Sequence, residues 1–225
     1  MDSNKLQKHY NAVIFDMDGT ILDTLEDLKD ALNHSLNEFG YPASFTADET
    51  RPFFGSGARA AIERALTAAG GASEDVVEEV LAFYKPWYAS HCDIKTQPYP
   101  GVIDLINTLK DAGVKVAVVS NKPDPAVQSL CRDYFPDLFD YAVGEKEGVK
   151  RKPSPDMVRS ALTELGFPAE QAVYIGDSEV DIQTAQNAGL DCICVDWGFR
   201  TKKDLIRSGA KTIVSTCDEI RNILI

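Results

Sequence analysis

The strongest constraint on the fold is a change in hydrophobic period at about Pro98. Beyond it, short apolar runs typical of strands alternate with amphipathic stretches typical of helices. The predicted strands are residues 115–120, 141–143, 172–176, 192–195 and 212–214. The predicted helices are residues 102–112, 126–134, 156–165, 180–188 and 203–207. This alternation predicts an α/β fold, a three-layer, Rossmann-like parallel sheet with helices on both faces.

One further strand-like run, residues 12–16, lies far upstream of this region. Between residues 24 and 97, apolar residues instead recur at helical spacing, and Thr46 with Glu49 fits a capping box. A lone strand has no partner, so residues 12–16 must join the downstream sheet. We therefore predict a discontinuous core, 1–23 and 98–225, with an inserted helical-bundle cap domain at 24–97.

Composition restricts the class of partner. Among 225 residues, Lys and Arg number 23 against 35 Asp and Glu, a net charge of −12, which argues against nucleic-acid binding. No apolar run reaches the ~18 residues of a membrane span, and the polar first nine residues lack a secretory signal. Five cysteines, an odd number, fit a reducing compartment. We expect a cytoplasmic protein with no membrane partner, either a monomer or a homodimer.

Polar residues follow several predicted strands, where open parallel sheets bind ligands. Asp16 ends the first strand and Asp18 follows it, while Ser120 and Asn121 end the next. Asp177 follows a later strand, with Asp181 four residues on, and Lys152 precedes a helix. The candidate site residues are Asp16, Asp18, Ser120, Asn121, Lys152, Asp177 and Asp181.

These residue types fit phosphoryl transfer. Clustered carboxylates need a proton or a cation, and an all-oxygen ligand set favours Mg²⁺. Asp16 could attack phosphorus and carry an aspartyl-phosphate, while Asp18 could protonate the leaving oxygen and activate water. Ser120, the Asn121 amide and Lys152 could hold the phosphoryl oxygens.

Taken singly, each of these residues also has a structural interpretation. An acid at a strand end can cap a helix or a turn, and Lys152 alone could be an exposed side chain. Their order along the chain, after successive strands, favours function. His9, His34 and His91 lie outside the strand ends, which argues against histidine acid–base chemistry.

Four motifs carry a family resemblance: DMDGTILD at 16–23, VVSN at 118–121, KPSP at 152–155 and GDSEVD at 176–181. In these motifs the chain resembles the haloacid dehalogenase superfamily of aspartyl-phosphate phosphohydrolases over essentially its whole length. The resemblance implies that Asp16 is the nucleophile and Asp18 the general acid and base, with Thr20 in support. It further implies that Asp16, Asp177 and the backbone carbonyl of Asp18 bind Mg²⁺, and that Asp181 orients Lys152 or the waters of the metal.

Within that superfamily, the helical insert is similar to a four-helix cap, and the chain resembles the phosphoglycolate phosphatases. The segments FGSG at 54–57 and DWGFR at 196–200 carry the second likeness. It implies a small phosphorylated metabolite as substrate, with phosphoglycolate the first to test. Arg51, Arg59 and Lys85 are cap cations that could hold a substrate carboxylate, although exposed Arg and Lys are ordinary on helices.

Other functions share these motifs. A phosphomutase similar to β-phosphoglucomutase is one alternative, although the cap shows SGAR at 56–59 rather than the Ser-Arg pattern of that subgroup. Pyrophosphatase and phosphonate hydrolase are further alternatives. A receiver-like signalling module is the alternative from another class, but receivers are shorter, lack an insert and have no acid two residues after the acceptor.

Overall fold

The computed structural model describes residues 9–225 and contains a six-stranded, wholly parallel sheet. Its strands, in the spatial order β5-β4-β1-β6-β7-β8, are β5 (Tyr141–Glu145), β4 (Lys115–Pro123), β1 (Ala12–Phe15), β6 (Ala172–Gly176), β7 (Asp191–Val195) and β8 (Thr212–Val214). The predicted α/β class is confirmed, and the isolated first strand lies near the centre of the sheet.

Strand β1 is central because it is apolar on both faces. Its sequence is AVIF, all four residues are buried, and it pairs with β4 on one side and β6 on the other. Val13 and Phe15 pack into one hydrophobic cluster, whereas Ala12 and Ile14 pack into another. Two-sided burial is the property expected of a strand covered by helices on both faces.

The helices of the core complete the outer layers. They are α5 (Val102–Asp111), α6 (Asp124–Tyr134), α7 (Asp156–Leu165), α8 (Glu179–Ala188), α9 (Lys202–Arg207) and α10 (Cys217–Leu224). Apolar residues of α5, α6 and α10 join the cluster of Val13, and those of α7 join the cluster of Ile14. Helix α10 was not predicted; it begins after Thr216, whose hydroxyl accepts the Glu219 N–H.

The segment from residue 24 to residue 97 carries four α-helices, called here the cap helices. They are α1 (Leu25–Glu38), α2 (Ala47–Thr50), α3 (Ala58–Ala68) and α4 (Glu74–Ala89). The capping box of Thr46 and Glu49 is confirmed at the start of α2. Among residues 9–225, no helix combines the length and apolarity that crossing a membrane requires.

A short antiparallel pair joins the two ends of this helical segment. Strand β2 (Leu22–Asp23) pairs with β3 (Gln97–Pro98), a feature that was not predicted because two residues carry no readable alternation. The buried Asp27 carboxylate, just inside α1, accepts the backbone N–H of Lys95 and both the N–H and hydroxyl of Thr96. The chain therefore enters and leaves the cap helices at one fixed point.

Candidate active site

The structure brings the predicted site residues together at the carboxyl edge of the sheet. Asp16 follows β1, Ser120 and Asn121 lie in β4, and Asp177 follows β6. These three strands are neighbours, so their ends place carboxylates and a hydroxyl around one point.

Lys152 supplies positive charge to this point. Its buried Nζ lies 2.9 Å from Oδ1 of Asp16 and 2.8 Å from Oδ1 of Asp181, and it donates to the Tyr174 hydroxyl at 3.0 Å. Tyr174 in turn donates to the Val119 carbonyl at 3.2 Å. Burial opposes the ammonium form, but the two carboxylates prevail and raise the pKa of Lys152.

The side chain of Asn121 fixes the backbone of Lys152. Oδ1 of Asn121 accepts the Lys152 N–H at 2.8 Å, and Nδ2 donates to the Lys152 carbonyl at 3.1 Å. Both polar atoms of this side chain therefore bind the backbone of the lysine. The Ser120 hydroxyl is buried nearby and accepts the Lys122 N–H at 3.2 Å.

Asp181 joins Lys152 to the start of α8. Its Oδ1 faces Lys152, while Oδ2 accepts the Ser178 hydroxyl at 2.6 Å and the N–H groups of Ser178 and Asp177 at 3.1 and 3.2 Å. Burial raises the pKa of Asp181, but Lys152 and Ser178 outweigh it and lower that pKa overall. The carboxylate is thus ionised and placed to orient the lysine.

Asp177 is held from two other segments. Its Oδ2 accepts the Phe199 N–H at 2.5 Å, and Oδ1 accepts the Thr20 hydroxyl at 3.4 Å. Burial, and then the charge of Asp181, raise its pKa to about 7. Burial and Asp181 likewise raise the pKa of Asp16, against the opposing effect of Lys152. The Lys152 ammonium alone therefore does not balance the negative charge of the Asp16, Asp177 and Asp181 carboxylates.

The cluster fits a divalent cation of the Mg²⁺ type. Asp16, Asp177 and Asp181 each offer a carboxylate oxygen, and these oxygens lie within 4.8 Å of one another. An all-oxygen set is the preference of Mg²⁺, and added positive charge would favour the ionised form of Asp16 and Asp177. Asp181 was not predicted as a ligand, and its oxygens are already engaged by Lys152 and Ser178.

Asp18 is held apart from this acidic cluster. Its Oδ1 lies 3.0 Å from Nζ of Lys122, which also donates to the Tyr88 hydroxyl and lies 4.4 Å from the centre of the Tyr88 ring. Neither Lys122 nor Tyr88 was selected from the sequence. Lys122 could have been found from its spacing, because a residue two positions beyond Ser120 in a strand lies on the same face of the sheet. Tyr88 gave no such signal, because it fits the apolar stripe of a helix.

A cavity of about 590 Å³ opens above these residues, between the core and the cap helices. The core contributes Asp16, Asp18, Ser120 and Lys152 to its lining, and the cap helices contribute Tyr84 and Tyr88 among others. The candidate nucleophile and acid thus face a cavity large enough for a small metabolite.

The three candidate cap cations have different surroundings. Arg51 donates to the Gly198 carbonyl at 2.8 Å, and Arg59 is paired with Glu residues of α3 and α4. Lys85 lines the cavity but is exposed. Arg200, from the DWGFR segment, donates to the Phe54 carbonyl at 2.9 Å and pairs with Glu179, so it too joins core to cap.

Known proteins are similar to this chain in sequence. Residues 13–195 match the family model described as haloacid dehalogenase-like hydrolase. The chain is 36% identical over 203 residues to a phosphoglycolate phosphatase of Rhodobacter capsulatus, a match covering 89% of this chain and 91% of that protein. It is 31% identical over 217 residues to phosphoglycolate phosphatase 1 of Pseudomonas aeruginosa, covering 94% and 78%.

A solved structure agrees with this assignment. The crystal structure of a proposed phosphoglycolate phosphatase from Lactobacillus delbrueckii subsp. bulgaricus superimposes with a TM-score of 0.93 and 47% identity, covering 96% of this chain and 99% of that one. The family resemblance predicted from the four motifs is therefore confirmed: the chain belongs to the haloacid dehalogenase-like hydrolase family.

Proposed function

We propose that this protein is a Mg²⁺-dependent phosphatase that hydrolyses small phosphomonoesters through an aspartyl-phosphate on Asp16. The single observation that carries the proposal is the position of Asp16, whose Oδ1 lies 2.9 Å from the buried Lys152 ammonium beside Asp177. This arrangement suits phosphoryl transfer, because it places a nucleophilic carboxylate, a fixed cation and a second carboxylate at one edge of the sheet.

Asp16 forms the covalent intermediate. Met17 N–H and Lys152 both donate to its Oδ1, so Oδ2 is left as the attacking oxygen. As the bond from Oδ2 to phosphorus forms, the ester bond to the leaving oxygen breaks. The Ser120 hydroxyl, the Asn121 backbone amide and the Lys152 ammonium hold the remaining phosphoryl oxygens, where negative charge collects.

Asp18 transfers the protons. It gives a proton to the leaving alcohol oxygen in the first step and then takes one from the water that attacks phosphorus. That attack releases inorganic phosphate and restores the Asp16 carboxylate. Asp18 lines the same cavity as Asp16, and its ion pair with Lys122 holds it outside the acidic cluster.

Asp16, Asp177 and the backbone carbonyl of Asp18 would hold Mg²⁺, with Asp181 orienting Lys152. When bound, the ion supplies positive charge that offsets the charge of the phosphoryl group and the carboxylates. Thr20 and the Phe199 N–H then fix the two oxygens of Asp177.

The cap helices act as a cap domain, 24–97, over a core formed by 1–23 and 98–225. By covering the cavity they exclude bulk water during the first step. The relatives named as phosphoglycolate phosphatases support phosphoglycolate as the substrate. Five free cysteines support a reducing cytoplasmic location.

Phosphate release from phosphoglycolate, with and without Mg²⁺, tests the proposal. We expect Mg²⁺-dependent turnover that Asp16→Asn abolishes. Asp30→Asn, a control on α1 whose partly exposed carboxylate pairs with Lys29 and Lys95 outside the cavity lining, should leave turnover intact. β-Glucose 1-phosphate separates the phosphomutase alternative, because a mutase yields glucose 6-phosphate and a phosphatase yields free phosphate. Full Mg²⁺-dependent hydrolysis by Asp16→Asn would contradict the mechanism.

A further inference from the structure

The cavity contains a buried cation that the proposed phosphoryl chemistry uses only to hold Asp18. Its lining lysines, within residues 9–225, are Lys85, Lys122, Lys146 and Lys152. Lys152 is held by the acidic cluster, and Lys85 and Lys146 are exposed. The side chain of Lys122, by contrast, is only 2% exposed.

Lys122 lies where the core meets the cap. Its ammonium pairs with Asp18 from the core, at 3.0 Å, and donates to the hydroxyl of Tyr88 from α4. Burial, together with the charge of Asp18, raises the pKa of Tyr88, so the phenol keeps its proton. The Lys122 ammonium has no lone pair and cannot accept a hydrogen bond from the phenol, so the Tyr88 hydroxyl can donate its proton to another acceptor.

Lys122 keeps donor capacity at the cavity. An ammonium group has three donors, and among the described residues its Nζ contacts only Asp18 and the Tyr88 hydroxyl, which leaves one donor for an anion in the cavity. A buried cation, screened little by water, is attracted strongly to such an anion. The exposed Lys85 and Lys146 are surrounded by water and gain much less from such an anion.

We propose that Lys122 and the Tyr88 hydroxyl form a subsite for a second anionic group, a carboxylate, on the phosphomonoester. The inference rests on the proposed function, because it concerns a phosphomonoester whose phosphoryl group lies at Asp16. The ammonium supplies the charge and one hydrogen bond, and the phenol supplies a second. A phosphomonoester with a carboxylate tail is thereby preferred over one of the same shape with a neutral tail.

Two matched ligand pairs test the subsite. Phosphoglycolate and ethyl phosphate differ only in the carboxylate and report on turnover. Their phosphonate counterparts, 3-phosphonopropanoate and propylphosphonate, cannot be hydrolysed and report on binding by calorimetry at saturating Mg²⁺. In both pairs we expect the wild-type protein to prefer the carboxylated member.

Lys122→Met should reduce that preference roughly 30-fold or more, the effect of removing one partner from a buried charge pair. Lys85→Met, the control of the same residue type in the same cavity, should change it less than about threefold because that side chain is exposed. Tyr88→Phe keeps the charge and the ring, and should reduce the preference by about tenfold. This variant carries the test if Lys122→Met fails to fold.

Each outcome bears on the subsite separately from the proposed function. Equal losses for both members of a pair would mean that Lys122 serves only Asp18, and would overturn the subsite. A wild-type protein that hydrolyses both esters without preference would do the same while leaving the phosphatase intact. Conversely, a protein that hydrolyses neither ester but binds 3-phosphonopropanoate through Lys122 would support the subsite and overturn the proposed function.

Discussion

Replacing Lys152 by methionine should destabilise the protein through charge rather than volume. The ammonium lies within 3 Å of carboxylate oxygens of both Asp16 and Asp181, and the lysine side chain is 2% exposed. Methionine fills much of the same space but leaves these carboxylates, with Asp177, facing one another unpaired. Breaking a buried ion pair in this way costs about 3–5 kcal/mol.

For a chain of this length, each kcal/mol lowers Tm by about 2–4 °C, so the loss should be about 6–20 °C. Thermal unfolding followed by circular dichroism in EDTA measures it. Lys115→Met is the matched control: its side chain is 52% exposed and pairs with Asp140, so we expect a loss below about 1 kcal/mol.

The loss should also depend on pH with a defined sign. Burial and like charge raise the folded-state pKa values of Asp16 and Asp177 above their unfolded values, so the folded state binds more protons. Protonation relieves the repulsion, and Lys152→Met should therefore lose less stability at about pH 5.5 than at about pH 8. The double variant Lys152→Met with Asp181→Asn lacks one of the unpaired carboxylate charges and should therefore regain part of the lost Tm. A Lys152→Met protein with the same Tm as the wild type in EDTA would refute this reasoning.

Three further outcomes follow from the site. Ser120→Ala should lower kcat by about 10²-fold. Its Tm should fall by no more than about 6 °C, because the lost hydrogen bond from the Lys122 N–H is worth about 0.5–1.5 kcal/mol. Phosphate-release kinetics and melting measure the two effects, and wild-type turnover would exclude the hydroxyl from the reaction. Gly198→Ala places a methyl group against the Asp177 carboxylate and the Gly19 carbonyl. A Mg²⁺ titration of activity should therefore show a higher half-saturating Mg²⁺ concentration. An unchanged half-saturating concentration would contradict this packing. Asp177 has a pKa of about 7 and must lose its proton to bind the ion. The Mg²⁺ affinity measured by calorimetry should therefore rise by up to about tenfold for each pH unit below 7. An affinity that does not change with pH would contradict the role of Asp177.

The fold was predictable from the sequence wherever an apolar period was long enough to read. The five downstream strands and helices α5 to α9 follow from alternation, and β1 was placed because a lone strand needs partners. Helix α10 was missed. Strands β2 and β3 were missed because two residues carry no period, and what fixes them is the set of hydrogen bonds from Lys95 and Thr96 to Asp27.

The arrangement of the candidate site was predictable as far as strand ends determine it. Asp16 and Asp177 directly follow β1 and β6, and Ser120 lies in the carboxyl-terminal half of the adjacent β4, so topology alone brings the three together. The partnership of Lys122 with Tyr88 could not be predicted, because it depends on how α4 docks on the core, and a tyrosine in an apolar stripe is indistinguishable from a core residue. The commitment of the Asn121 side chain to the Lys152 backbone is likewise a tertiary contact that spacing does not encode.

Chemical capture of the intermediate tests the central claim most directly. Enzyme mixed with phosphoglycolate and Mg²⁺, quenched within one turnover and reduced with borohydride, should yield a peptide in which Asp16 has become homoserine, as mass spectrometry would show. The same treatment without substrate should leave Asp16 unchanged. Reduction at another carboxylate, or at none while phosphate is released at the normal rate, would contradict a phosphoryl transfer through Asp16.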